Sequence, residues 1–373
     1  MKNMKNMKFD FDDILIQPAT ITKINSRSIV TVTDEKNFLP IFTAPMDTVV
    51  DLTNYKSFLN NGIRVVLPKT IPEHELPYNE NSEYLWFSYG LNDVDELFLS
   101  DISGDLVNSR AVFIQNHLKN KKLHILIEIA NAHMSRLHKQ VAQLKEKYGD
   151  NLLLMVGNIA NPKTYEILSN LGVWGIRCTI GNGSGCLTTE KLGVGYPSAS
   201  LIKECYDVSC TLDKPAHIIM DGGLKEERDF IKSLALGANY CMSGGVFNKT
   251  LESCADTYTQ NIKHDSWTEP GQLVDQYNET TINMFKNGTK FFKKFRGMST
   301  KEAQKAMGND ILKTSEGISR MNPVEYTLEG WVDNFTHYLS SAMSYTNKKD
   351  LESFVGEVEY NLITQNSFRR YNK

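Results

Sequence analysis

Cys186 lies inside the densest glycine run of the chain, GNGSGCLTTEKLGVGYP from Gly181 to Pro197. Gly181, Gly183 and Gly185 precede the thiol; Gly193 and Gly195 follow it. Glycines at this density let carbonyls and N–H groups turn toward a ligand or an ion. A cysteine held in such a loop is a candidate nucleophile, and its thiolate is the reactive form. Thr188, two residues on, carries a hydroxyl able to shuttle a proton. The same residues also fit a flexible surface loop with an incidental buried cysteine.

Other candidate groups stand apart from this loop in sequence. Asp221-Gly222-Gly223 and Ser243-Gly244-Gly245 each follow an apolar run. Their bare N–H groups suit a phosphate near helix N-termini. The Asp221 carboxylate suits a sugar diol, because it accepts two hydrogen bonds from vicinal hydroxyls. Lys69 and Glu128 also end apolar runs. Such a pair manages a proton on a leaving group, or forms a plain salt bridge. His133 reads as structural rather than catalytic.

These groups need elements that bring them together. Eight short apolar runs recur along the chain: residues 40–44, 63–67, 84–88, 125–129, 152–156, 174–178, 217–220 and 239–242. Continuous apolar runs of this length fit strands buried on both faces of a parallel sheet. Helical patterns separate most of them, including Met134 to Tyr148, Pro162 to Leu171 and Glu227 to Ala238. Eight alternations favour a closed barrel, so the expected class is α/β, a (β/α)8 TIM barrel. The groups at the strand ends then converge on the C-terminal face, where barrels of this kind place their chemistry.

Bulk properties narrow the function classes. A formal net charge of −3 gives no reason to expect nucleic acid. The six cysteines lack disulfide or zinc spacing. No apolar run approaches the ~20 residues needed to span a bilayer, and the N-terminus lacks an apolar signal core. These features predict a cytoplasmic protein with no membrane partner. The repeated MKN at the start reads as a frayed terminus. Residues from about 265 to 325 are polar and read as a lid or a surface excursion. Gly330 to Tyr345 reads as an amphipathic helix that closes the barrel. The end around Phe368-Arg369-Arg370-Tyr371 reads as a solvated tail.

The ordered set TAPMDTV (43–49), VGN (156–158), GNGSGCLTT (181–189), GVGYP (193–197), MDGG (220–223), FRGMS (295–299) and SEG (315–317) resembles the IMP dehydrogenase/GMP reductase family. The resemblance covers nearly the whole chain, 1–373. It implies one catalytic barrel with a mobile flap after strand eight, at about 299–325. Cys186 then corresponds to the nucleophile that attacks C2 of a purine nucleotide. Asp221 corresponds to the ribose ligand, and Gly223, Gly244 and Gly245 to phosphate-binding positions. Met46, Met298, Ser299 and Gly317 fall among the substrate-binding positions. Thr188 and Glu316 match a pair that handles ammonia or water, and Lys69 and Glu128 match positions around the departing amine. Glu128, Ala130, Asn131 and Lys313 are the cofactor-side positions. Gly181, Gly183 and Cys186 are the positions whose carbonyls would hold a monovalent cation such as K+.

Within the family the chain is most like the reductases. Between Met298 and Glu316 it has no arginine or tyrosine, whereas dehydrogenases carry an Arg-Tyr pair there. The short stretch between Lys69 and Tyr84 leaves no room for the regulatory modules common in dehydrogenases. The resemblance implies NADPH-dependent conversion of GMP to IMP and ammonia in a homotetramer. The alternatives are an IMP dehydrogenase without the regulatory insert and a divergent reductase of dGMP or a modified guanine nucleotide. Departures from the usual reductase residues are Pro68, Glu128, Gly185, Leu187, Thr189-Glu190 and Lys313.

Overall fold

The computed structural model describes residues 7–103, 108–260, 271–306 and 317–371. The eight apolar runs form eight parallel strands: β2 (Ile41–Thr43), β3 (Val65–Leu67), β4 (Leu85–Tyr89), β5 (Leu123–Glu128), β6 (Leu152–Ile159), β7 (Gly175–Cys178), β8 (His217–Asp221) and β9 (Tyr240–Ser243). They pair in the order β2-β9-β8-β7-β6-β5-β4-β3. The ring closes where Phe42 bridges Arg64 in parallel. There Thr43 N–H donates to Arg64 O at 2.8 Å and Arg64 N–H donates to Ile41 O at 2.9 Å. The chain therefore folds as a (β/α)8 barrel, as its alternating pattern predicts.

Helices cover the outside where the sequence supplies both a stripe and a cap. Helix Pro162–Asn170 starts on Asn161, whose side chain accepts from Lys163 N–H, with proline in its first turn. Helix Glu227–Leu236 ends on Gly237 in the left-handed conformation. Helix Leu328–Tyr345 starts on Thr327, which accepts from Gly330 N–H, and buries Leu328, Trp331, Phe335, Leu339 and Met343. Between β3 and β4 only short 3-10 turns occur.

The N-terminal end of the barrel is sealed by rings. Trp86 and Trp174 lie 4.7 Å apart, Trp174 and Tyr240 5.5 Å, and Phe42 and Tyr240 5.4 Å. Above them Val66, Leu126, Met155, Ile219 and Met242 fill the interior. One end of the barrel is thus closed by packing, and the C-terminal end is left for the site.

His124 is buried and His217 half-buried against this aromatic plug, at ring distances of 5.2 Å from Trp86 and 4.6 Å from Trp174 respectively. Burial is the main cause that pushes both imidazoles down from 6.5 to about 4; Lys122 adds to it at His124 and Arg64 at His217. The folded state favours neutral histidine. Their contribution is therefore complete above pH ~6.5 and is lost as pH falls toward ~4. The expected loss is about 2 kcal/mol per histidine after solvent screening is allowed for. Thermal melting between pH 7 and 4 measures it, and H217Q should flatten the slope. An unchanged slope in H217Q would remove the assignment.

The segment after β9 carries strands of its own among its described residues. Within it lie β10 (Thr257–Thr259), β11 (Leu273–Val274), β12 (Phe291–Arg296) and β13 (Ser319–Pro323). These make an antiparallel sheet in the order β11-β10-β12-β13. Leu251, Phe291 and Val324 form a small core beneath it. Lys293 is fully buried on β12, and its ammonium donates to Ser253 O at 2.6 Å. Burial pushes its pKa down to about 7. Asn248 ties the sheet to the barrel: its amide donates to Thr48 O at 2.8 Å and Lys294 O at 3.1 Å, and its carbonyl accepts from Asn322 at 2.8 Å. Arg296 pairs with Asp47 at 2.6 Å.

The C-terminal end is also more structured than a solvated tail. β1 (Ile14–Ile16) pairs antiparallel with β14 (Tyr360–Leu362), and helix Gln365–Tyr371 follows. Its residues are largely exposed, but Arg228 lies over the Phe368 ring at 5.8 Å. The first two MKN tripeptide repeats lie outside the described residues.

Candidate active site

The C-terminal end of the barrel opens into a cavity of about 290 Å³. Its wall includes Met46, Lys69, Glu128, Ala130, Cys186, Thr188, Asp221, Gly223, Gly244, Gly245, Met298 and Ser299. Gly181 and Gly183 line it as well. Most of the residues picked out by type and spacing are therefore brought together.

The cysteine loop is held from two sides. Thr189 Oγ1 lies 3.0 Å from Ile180 O and 2.9 Å from Val194 O, so one hydroxyl staples both ends of the loop. Gly181 sits at φ +83, and a Cβ there would lie 1.8 Å from that hydroxyl. Only glycine fits. On the other side, Ile318 N–H donates to Gly185 O at 3.2 Å and Gly297 N–H donates to Ile318 O at 3.0 Å. Cys186 forms an antiparallel bridge with Gly317. A Cβ on Gly185 would meet Gly297 Cα at 3.0 Å and Phe295 Cε1 at 3.1 Å. The absence of a branched side chain at 185 thus lets the 295–297 segment cross directly over the loop. The second sheet makes this possible, because β12 ends and β13 begins at these contacts.

Cys186 is partly exposed, and its Sγ lies 3.2 Å from Thr188 Oγ1. Its N–H donates to Gly183 O at 2.8 Å. All six cysteines are unbridged thiols. Cys178, Cys205 and Cys241 are buried, which separates them from the cavity-facing Cys186.

Across the cavity, Lys69 Nζ lies 3.4 Å from Glu128 Oε2 and 3.5 Å from the Glu128 carbonyl. Arg177 Nη1 lies 3.6 Å from Glu128 Oε1. On its other edge, Arg177 donates to Asp221 Oδ2 through Nε at 3.0 Å and Nη2 at 2.7 Å. Asn158 Nδ2 donates to the same oxygen at 2.7 Å. Burial alone would lower the Arg177 pKa. The adjacent Asp221 and Glu128 carboxylates outweigh it and raise the value, so the guanidinium stays charged.

Among the described residues, Asn131 and Gly317 are the expected ones that do not line this cavity. Asn131 is not on the cavity wall, and its side chain accepts from His133 N–H at 3.1 Å. His133 is a structural link: its ring lies 2.8 Å from Thr164 Oγ1 and accepts from Ala160 N–H at 3.0 Å. Burial lowers its pKa. Gly317 meets the loop through its backbone bridge to Cys186 rather than through the wall. Lys313 and Glu316 lie outside the described residues. Among the described residues no cluster of His, Cys, Asp and Glu could hold a metal ion. One lone pair of the Gly183 carbonyl is taken by Cys186 N–H, which leaves backbone carbonyls as the donor type for any cation at this loop.

Among the wall residues that the sequence reading did not name as site residues are Arg177, Asn158 and Ser184. Arg177 carried a signal. It is a charged residue within an apolar strand, two positions from the inward-facing Gly175, and a buried guanidinium requires carboxylate partners.

The fold is a (β/α)8 barrel whose loops at the C-terminal strand ends enclose a cavity with a partly exposed cysteine on its wall. The chain carries a stretch, residues 107–267, that matches the IMP dehydrogenase/GMP reductase domain. The chain is 27% identical over 383 residues to a GMP reductase of Caenorhabditis elegans, covering 98% of this chain and 94% of that one. It is 27% identical over 378 residues to a GMP reductase of Lactobacillus acidophilus, covering 99% of each. A GMP reductase of Vibrio vulnificus is 26% identical over 366 residues, covering 94% of this chain and 93% of its own.

Proposed function

We propose that this chain is a GMP reductase that converts GMP to IMP and ammonia at the expense of NADPH. The observation that carries this reading is the placement of two chemical couples on one cavity. Cys186 and Thr188 stand 3.2 Å apart on one wall, and Lys69 and Glu128 stand 3.4 Å apart on another. The near full-length similarity to proteins named GMP reductase supports the choice of substrate.

In this reading the Cys186 thiolate attacks C2 of the purine. The 2-amino group takes up a proton and leaves as ammonia, with Lys69 and Glu128 on its side of the cavity and Thr188 and Glu316 completing the proton path. This leaves a thioimidate between C2 and Sγ. NADPH, held by Glu128, Ala130 and Asn131 with Lys313, would supply the hydride to C2. The C–S bond then breaks and restores the Cys186 thiolate. Asp221 takes the ribose, and Gly223, Gly244 and Gly245 take the phosphate through N–H groups. Met46, Met298, Ser299 and Gly317 frame the base. The carbonyls at Gly181, Gly183 and Cys186 would hold any monovalent cation that stiffens the loop.

The purified protein should oxidise NADPH only when GMP is present, with one ammonia and one IMP formed per turnover. Conversion of IMP and NAD to XMP without GMP reduction would assign it to the dehydrogenase branch instead. Tight nucleotide binding with neither reaction would overturn the enzymatic reading.

A further inference from the structure

Arg177 occupies a position that neither the cysteine chemistry nor the phosphate loops account for. It projects from β7, with Glu128 on β5 and Asp221 on β8. The register places Glu128 opposite Gly157 and Gly157 opposite Arg177. Gly157 leaves the gap that the arginine crosses: a Cβ there would sit 2.4 Å from the Arg177 Cβ. The guanidinium therefore spans β6 and meets a carboxylate on each side.

Its effect on Asp221 is asymmetric. Oδ2 takes three N–H donors, two from Arg177 and one from Asn158. A carboxylate oxygen with three donors has no capacity for another strong one. Oδ1 takes none among the described residues, and Asp221 lines the cavity. The bonds at 2.7 to 3.0 Å also fix the carboxylate plane, since Arg177 grips it with a rigid fork. Arg177 itself is only 6% exposed, so this grip is exerted out of solvent.

We propose that Arg177 is a positioning residue for sugar recognition: by saturating Oδ2 it aims Oδ1 of Asp221 as the single acceptor for the nucleotide's vicinal hydroxyls. This rests on the nucleotide reading above and adds a specificity element to it. Arg177 acts through Asp221 and touches neither the base nor the phosphate. Its loss should therefore weaken binding only of ligands that carry the hydroxyls.

The test compares the affinities of GMP and 2′,3′-dideoxy-GMP for the full chain by calorimetry, in wild type, R177M and R177K. Wild type should prefer GMP by about tenfold or more, the scale of two hydrogen bonds to a charged acceptor. In R177M the preference should collapse to about twofold or less, with dideoxy-GMP affinity unchanged. R177K keeps the charge without the fork and should fall between them. It also guards against misfolding of R177M, and melting curves check both variants. Equal losses for the two ligands would mean a merely structural role and overturn the proposal. So would wild-type discrimination retained in R177M, or no discrimination in wild type. A wild-type protein that binds neither nucleotide would instead overturn the nucleotide reading itself.

Discussion

Cys186→Ala is expected to abolish GMP-dependent NADPH oxidation, by at least about a thousandfold in kcat, while GMP binding changes by only a few-fold. The expectation follows from what the loop does and does not depend on. The loop is held by Thr189, by the Gly185 carbonyl and by backbone bridging at Cys186. None of these contacts uses the sulfur. Removing Sγ therefore deletes the nucleophile and leaves its support in place. Cys186→Ser is the sharper variant, because it keeps a polar group 3.2 Å or so from Thr188 but offers an alkoxide far harder to form. It too should be inactive. The readout is NADPH consumption beside a calorimetric GMP affinity. Either variant turning over at more than about a tenth of the wild-type rate would show that no covalent bond to residue 186 is needed.

Much of the scaffold behind that loop is readable from the sequence, and the reason is burial on two faces. Runs such as Leu152-Leu153-Leu154-Met155-Val156 are apolar without alternation because helices cover one face and the barrel interior covers the other. The second sheet hides for the opposite reason. Phe291-Phe292-Lys293-Lys294-Phe295-Arg296 has mixed character because one lysine is buried beside Ser253 while its neighbour is half-exposed and pairs with Glu302 at 3.0 Å. The pairing of Ile14–Ile16 with Tyr360–Leu362 joins the two ends of the chain, and no local pattern announces it. At the site, the residues legible from sequence are those on glycine-rich strand ends. Arg177 sits inside a strand, where an apolar run masks it. Gly185, a departure from the usual pattern, reads locally as a weakness. In space it is the clearance that lets Gly297 approach within van der Waals distance.

Lys69→Met and Glu128→Gln should each slow deamination of GMP by about a hundredfold, the scale of lost acid–base assistance. The geometry singles out this half of the reaction. Glu128 is long enough to approach two cations at once, Lys69 at 3.4 Å and Arg177 at 3.6 Å. Glu128 Oε2 is buried with no hydrogen-bond donor, and so is Arg177 Nη1 with no acceptor. The Lys69 ammonium beside Glu128 can give the departing amine its proton, with the Glu128 carboxylate holding that ammonium in place. Hydride transfer has no such need, since no proton on nitrogen moves in that step. The two halves separate in the reverse direction: IMP and NADP+ form the thioimidate and NADPH without ammonia. Rapid mixing should show that burst within about threefold of wild type in both variants, while ammonia-dependent steps are lost. A burst slowed as much as deamination would mean that the Lys69–Glu128 pair supports the barrel mouth as a whole and does not serve the amine.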